Sequence, residues 1–521
     1  MKKIILLNVL ILYSLLDGEV LDGLTLYSSF SSSLKNTFLI DANENVINFW
    51  SHTNAPASHP YLLQDTSIIY PYKVAEPYLD GNAGGVGGGI QKISKNGTIE
   101  WDYIFSDSIY QHHHDIAVLP DNNILVIVWE IKSAEEALLV GRENIESELN
   151  EIWSPAVIEF NPVNGAIVWE WHIWDHLVQE VDSSLSNYGI VRDNKQLLNV
   201  NYGTIGSIDG ANGDWMHINS IDYNPSLDQI VLSSRNTNEL YVIDHSTTTE
   251  ESSSSTGGEY GKGGDFLFRW GNPEVYNMGN EGDRQLFGQH DVTWVPNSEM
   301  GSNHFLLFNN GFGRPDGNYS TIDFIIPSRD VLGNYLLSND STYLPETVHR
   351  LYSEDGFYSG RQSSAQYLDN GNILLSSSEE KRIFEINNNG TILWEYNLEE
   401  TYFINRASKY PLGFLTGLSN NITKKNKITQ KSFLSANKPN PFNPITFISY
   451  DLQFSQKVNL TIYDIRGNVI ITLIDKKEEK GKKSVQWNAK DYKGQKVATG
   501  IYFFKIETEL FSESKKMILL K

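Results

Sequence analysis

The chain has 521 residues and no cysteine, so disulfides, thiolate catalysis and thiolate-bound zinc are excluded. Its formal net charge is −23, which argues against a nucleic-acid partner, because that needs a basic face. The charge is uneven: residues 1–422 hold 22 Lys and Arg against 55 Asp and Glu, and residues 423–521 hold 19 against 9, so a seam near residue 422 predicts two units.

Met1-Lys2-Lys3 precedes an apolar run from Ile4 to Leu16. A short basic start and a run too short to span a membrane predict an export leader over residues 1–16. No small-x-small pair marks its end, and a buried first strand is the rival reading.

From there two strand patterns alternate. One closes a tight turn on an aromatic residue: Phe38 to Trp50, Ile93 to Trp101, Ile158 to Trp169 and Phe384 to Trp394, with Tyr241-Val-Ile-Asp244 and Phe266 to Trp270 as a fifth copy split by an insertion. Asn-Gly between β-branched runs is a strong hairpin signal. A degenerate copy is expected between Asn318 and Leu351. The second pattern follows each copy: Tyr61 to Tyr70, Ala117 to Trp129, Ile221 to Ser234, Val292 to Phe308 and Ala365 to Leu375. Paired hairpins recurring in this way predict an all-β chain with a six-bladed β-propeller over residues 17–422. An array of β-sandwiches is the alternative. Within Ile131 to Glu151 a short helix is expected, and Ser246 to Gly258 reads as a flexible surface loop.

Residues 423–436 read as a basic linker. Beyond it, Pro439-Asn-Pro-Phe-Asn-Pro444 leads into alternating strands at Thr446, Val458, Gly467, Ser484 and Gly500, which predict a small Ig-like β-sandwich over residues 437–521.

Three histidine stretches stand at one address of the repeat, just ahead of a strand-turn-strand unit. They are Gln111-His112-His113-His114-Asp115, Asp214-Trp-Met-His217-Ile-Asn219-Ser220 and Phe287-Gly-Gln-His290-Asp291. Five of the 12 histidines thus share a position that a circular repeat turns toward its axis. Asn219 lies two residues past His217 on the same expected strand face, and Arg235 ends the same hairpin. Imidazoles with one amide and one guanidinium suit a ligand with several anionic oxygens. The bland reading makes these histidines turn residues that satisfy backbone groups. A three-histidine zinc site is the chemical rival, and Arg235 disfavours a cation.

The same residues resemble the bacterial aryl-sulfate sulfotransferases. The resemblance is carried by His113-His114-Asp115, by Asp214-Trp-Met-His217-Ile-Asn219-Ser220 with Ser233-Ser234-Arg235 trailing it, and by Gly288-Gln289-His290-Asp291. It runs from about Gly23 to Leu418, with an opening Gly23-Leu-Thr-Leu-Tyr27 and a closing Asn405-Arg-Ala-Ser-Lys-Tyr-Pro411 like theirs. It implies a channel site that moves a sulfuryl group from a phenolic sulfate ester to a phenol through a sulfohistidine. Neither a nucleotide donor nor a cofactor is implied. On that pattern His290 is the nucleophile, His217 and Arg235 stabilise the oxygens in flight, His113 or His114 completes the cradle or serves the leaving phenol, and Asn219 orients it. Asp291 or a neighbouring carbonyl fixes the His290 tautomer, and Ser363 or Ser364 is a further candidate for substrate contact. The chain departs from the family's better-known enzymes in lacking a separate N-terminal β domain and a cysteine pair, and Arg314 receives no role.

The C-terminal segments Asn440-Pro-Phe-Asn-Pro444, Ile462-Tyr-Asp-Ile-Arg-Gly467 and Thr499-Gly-Ile-Tyr-Phe503 resemble type-nine-secretion sorting domains and hook-capping Ig-like modules. This implies secretion machinery as a partner and a surface or extracellular location, with the periplasm as the alternative. An ordinary Ig-like accessory domain is the bland reading. Two other functional classes stay open: a non-catalytic propeller that binds anionic ligands or acts as an adhesin, and a quinoprotein dehydrogenase, for which no cofactor motif is present. A pure binder needs Arg235 but has no need of His290.

Overall fold

The computed structural model describes residues 18–31, 35–80, 83–145, 149–206, 212–298, 301–330, 333–345, 347–354, 356–399, 403–415, 433–435, 437–452, 456–479, 481–508 and 512–520. The expected leader at 1–16 and the basic stretch Thr423 to Lys431 lie outside the described residues. Among the described residues no helix is long and apolar enough to cross a membrane.

Five four-stranded antiparallel sheets follow one another, each a meander of sequence neighbours. Their first strands are Tyr61–Leu62, Gln111–Val118, Ile218–Asn224, His290–Ser298 and Ser364–Tyr367. Gly97, Gly165 and Gly390 close hairpins at φ 85°, 72° and 78°, where a side chain would be strained, and this is why Asn-Gly recurs there. The degenerate copy supplies Thr321–Ile325 and His349–Tyr352, the outer strands of the fourth sheet.

Apolar faces fill the space between consecutive sheets. Trp169 and Trp171 of the second meet Ile221 and Tyr241 of the third. Val242 and Phe268 meet Trp294 and Phe305, and Leu306 and Phe324 meet Ala365 and Phe384. First strands are also tied to their successors: the Val292 amide donates to Ser220 Oγ at 3.0 Å, and the Ala365 amide to Asp291 Oδ2 at 3.1 Å. The result is a propeller-like ring of five blades.

The remaining strands do not form a separate sixth four-stranded sheet. Ala407–Pro411, Gly23–Phe30, Lys35–Asp41 and Val46–Ser51 are consecutive neighbours in an eight-stranded sheet that continues into Ser512–Leu519, Gly500–Thr508, Gln456–Asp464 and Val469–Glu478. Tyr27 and Ile40 pack against Leu374 and Ile383 of the fifth sheet, and Leu26 and Trp50 against Ile68 and Tyr70 of the first. A count of successive hairpins cannot pair strands from opposite ends of the ring-forming segment. Phe433–Leu434, Thr446–Leu452 and Gly481–Trp487 form a further sheet, and Ile448, Leu460, Trp487 and Phe504 share its core.

Two insertions carry helices. Ala134–Leu139 is capped by Ser133, as expected. Ser246 to Gly258 is a correction: Thr249–Ser252 is helical, Thr248 and Glu251 form a capping box, and buried Ser252 donates to the Glu170 carbonyl at 2.5 Å. The Ser/Thr composition hid the capping signal.

His245 joins two blades through Glu159 Oε2 at 2.9 Å and Asp228 Oδ1 at 2.7 Å. Burial alone lowers its pKa, but these carboxylates outweigh that and push it up from 6.5 to about 9. A raised folded pKa gives stability that is full below pH 6.5 and is lost as pH rises through about 9. His245→Gln should therefore cost on the order of 3 kcal/mol at pH 6 and almost nothing at pH 10, read from urea unfolding.

Candidate active site

The histidine-bearing strands begin with irregularities. Pairing registers shift between His112 and Ile116, between Ile218 and Ser220, and between His290 and Thr293. His114, His217 and Asp291 sit there at φ 54°, 52° and 55°, in the left-handed region. Bulges of this kind re-aim side chains, and each left-handed non-glycine residue costs on the order of 1 kcal/mol.

His290 is 7% exposed. Its Nδ1 lies 3.1 Å from the Gly288 carbonyl and 2.8 Å from Asn310 Oδ1. The Asn310 amide is oriented by donating to the Ser359 and Gln362 carbonyls at 2.7 and 3.0 Å. Two acceptors at Nδ1 require the proton there, which leaves Nε2 with a lone pair. Burial, then the Arg235 charge, hold this imidazole down to a pKa of about 3, so it is neutral throughout the ordinary pH range. The tautomer is thus fixed by Asn310 and a carbonyl. Asp291 faces Arg406 and the Ala365 amide instead.

His217 is held differently. Its Nδ1 lies 2.5 Å from Asp214 Oδ2, and its amide donates to Asp214 Oδ1 at 3.2 Å. The carboxylate behind Nδ1 fixes the ring's orientation and turns Nε2 away from Asp214. His114 stands edge-on to His217, with centroids 4.6 Å apart and planes at 78°.

The triple histidine divides its work. His112 Nδ1 accepts from the Gly88 amide at 3.0 Å. His113 stacks on Trp129 at 3.8 Å, and its Nδ1 meets His114 Nδ1 at 2.9 Å. His114 is the one beside His217. The glycine run Gly84 to Gly89 lies across these rings: a Cβ on Gly85 would fall on the His114 imidazole, and one on Gly84 would lie 3.1 Å from His217 Cε1.

Arg235 stands next in the site. Its amide donates to the His217 carbonyl at 3.0 Å, and its guanidinium lies 5.4 Å over the Phe312 ring. Asn219 is buried, and its Nδ2 donates to the Gln289 carbonyl at 2.8 Å. The strand irregularity at this point breaks the simple alternation that predicts a shared face with His217. Asn219 Oδ1 meets no hydrogen-bond partner among the described residues.

The serines are a correction. Ser364 Oγ shares a hydrogen bond with Ser376 Oγ at 2.7 Å, and Ser363 Oγ donates to Ser359 Oγ at 2.9 Å. Each hydroxyl thus has a partner within the protein. Arg314 is structural, donating to Tyr319 O at 3.1 Å and Thr321 Oγ1 at 3.0 Å.

Sequence reasoning missed Asn310, the role of Asp214, buried His59 and Arg406. His59 precedes the first strand of the first sheet, at the address of the other histidines, and this signal was available. Arg406 Nη1 lies 2.6 Å from Asp115 Oδ2 and 2.9 Å from Asp291 Oδ1. Burial pushes the Asp291 carboxyl up and Arg406 pulls it back, leaving it at about 6. Among the described residues no group of three or more His, Asp or Glu is arranged to hold a metal ion.

A propeller-like ring with imidazoles and an amide at its first strands and a guanidinium at the end of the adjoining strand is the class of protein these observations define. The family model described as Arylsulfotransferase (ASST) matches residues 16–382, and the chain belongs to that family. Membership supports a sulfotransferase-type enzyme acting on small aryl molecules. The FlgD Ig-like domain model matches residues 444–510. No curated protein matches the chain. Similar solved structures include a protein of unknown function from Bacteroides caccae, at 10% identity and TM-score 0.39, covering 74% of this chain and 98% of that one. Virginiamycin B lyase from Staphylococcus aureus is similar at 11% identity and TM-score 0.31, covering 73% and 85%. FlgD from P. aeruginosa is similar at 22% identity and TM-score 0.13, covering 14% and 61%.

Proposed function

We propose that the protein transfers a sulfuryl group from a phenolic sulfate ester to a phenol, through a sulfohistidine on His290 and without a nucleotide donor. The observation that carries this reading is the Nδ1 proton of His290, held by Asn310 Oδ1 and the Gly288 carbonyl, which leaves a neutral Nε2 lone pair. Nε2 attacks sulfur, the S–O bond to the aryl group breaks, and the phenolate leaves with a proton from His217, while the His113–His114 pair completes the cradle. An acceptor phenol then returns a proton to His217 and attacks sulfur, the N–S bond breaks, and neutral His290 returns. Arg235 and His217, backed by Asp214, stabilise charge on the equatorial oxygens, and the free Asn219 Oδ1 orients a hydroxyl.

The test is turnover. The purified protein should release phenol from an aryl sulfate faster when an acceptor phenol is present, with no nucleotide or metal added and with chelator making no difference. No release across several donors would overturn the reading in favour of an anion-binding propeller.

The ring is proposed to close as six blades over residues 17–422, with Ala407–Pro411 as the inner strand of the blade that Gly23–Phe30, Lys35–Asp41 and Val46–Ser51 complete. Export by a leader at 1–16, a linker at 423–436 and an Ig-like sorting module at 437–521 are proposed on the sequence signals and on the FlgD-like match. The module touches the ring through Phe49, whose centroid is 5.9 Å from Phe503. Deleting residues 437–521 should leave the ring folded but less stable, and in a host with the type-nine pathway the product should accumulate in the periplasm. Unchanged surface display would remove the sorting assignment.

A further inference from the structure

Arg406 precedes the closing strand Ala407–Pro411, and its side chain is 11% exposed. Its Nη1 faces Asp115 Oδ2 and Asp291 Oδ1, and its Nη2 donates to the Asn219 carbonyl at 2.8 Å. These acceptors come from the second, fourth and third sheets. Each stands one or two residues after a site histidine: His114, His290 and His217. The carboxylates reach further. Asp115 Oδ1 accepts from Tyr61 Oη at 2.8 Å and Ser58 Oγ at 3.3 Å, at the first sheet, and Asp115 Oδ2 from the Ile221 amide at 3.3 Å. Asp291 Oδ2 accepts from the Ala365 amide of the fifth. One guanidinium therefore centres a network that touches all five sheets and the closing strand.

We propose that Arg406 is a positioning residue for the transfer reaction: its grip on Asp115, Asn219 and Asp291 sets the spacing of His114, His217 and His290, so the site is complete only when the closing strand has docked. The proposal rests on the sulfuryl-transfer reading. Its physical basis is that the three segments are bulged, so ladder hydrogen bonds do not fix them and an outside tether must. A planar fork reaches three acceptors at once, whereas a lysine ammonium on a flexible stem does not hold that geometry. Displacement of a reacting group by about 1 Å costs about 10²-fold in rate.

The experiment compares wild type, Arg406→Lys, Arg406→Gln and the charge-compensated Arg406→Gln/Asp291→Asn. Melting temperature, kcat and KM are measured, together with 15N-histidine spectra assigned through His290→Gln. Arg406→Lys should melt within a few degrees of wild type, lose about 10²-fold in kcat with little change in KM, and shift the His290 and His217 ring signals. The double variant should regain most of the stability lost in Arg406→Gln alone while staying about as slow. If kcat recovers with stability, or the ring signals of Arg406→Lys match wild type, Arg406 is only an ion-pair partner and the proposal is overturned. The spectra need no turnover, so an inactive wild type would defeat the parent reading while this one stayed testable.

Discussion

Alanine at position 290 is expected to lower aryl-sulfate-dependent transfer by about 10⁴-fold or more, with the fold kept, because removing a covalent nucleophile leaves only binding and charge stabilisation. The cost to stability is modest: the substitution frees the Asn310 oxygen and the Gly288 carbonyl, which His290 engages at 2.8 and 3.1 Å, for about 1–3 kcal/mol. A merely structural histidine would lose activity only in proportion to folded protein. The pH dependence follows from the same surroundings. With its pKa held at about 3 by burial and Arg235, His290 stays neutral from pH 5 to 8. Adduct formation should therefore not fall toward pH 5 through protonation of the nucleophile.

Arg235→Ala is expected to slow transfer by roughly 10²–10³-fold, the scale for losing one preorganised oxyanion donor, while an adduct still forms slowly. His217→Ala should behave alike. Asp214→Asn should follow it, since the short Asp214–His217 contact is what orients that imidazole. Single-turnover stopped-flow with a chromogenic aryl sulfate separates the cases. A His290 variant shows no burst of phenol, whereas Arg235 and His217 variants show a slow one. An Arg235 variant with wild-type burst rate and only weaker substrate binding would make that residue a ground-state anchor and nothing more.

Much of this site can be read in the sequence, for a physical reason. A ring repeat places equivalent residues on one axis, so His114, His217 and His290 are recognisable from their position before each strand-turn-strand unit. Hairpins are legible because Asn-Gly turns and β-branched runs are local. What is not legible depends on distant partners. Arg406 meets Asp115 across 291 residues, and no spacing rule connects them. Asn310 reaches His290 from the neighbouring strand's end, 20 residues on. Ser364, a candidate for substrate contact in the sequence, shares its hydroxyl's hydrogen bond with Ser376 across the same sheet. Ala407–Pro411 pairs with Gly23–Phe30 from the other end of the sequence, which a left-to-right count of hairpins misses.

Locating the adduct decides whether sulfur bonds to Nε2 of His290. The full chain is mixed with an aryl sulfate lacking acceptor, quenched in alkali within milliseconds, digested and mapped by mass spectrometry. The reading predicts an acid-labile, alkali-stable sulfuryl group on the peptide that contains His290, absent from His290→Ala. A sulfuryl group on His217, His113 or His114, or rapid phenol release with no adduct on any histidine, would contradict it.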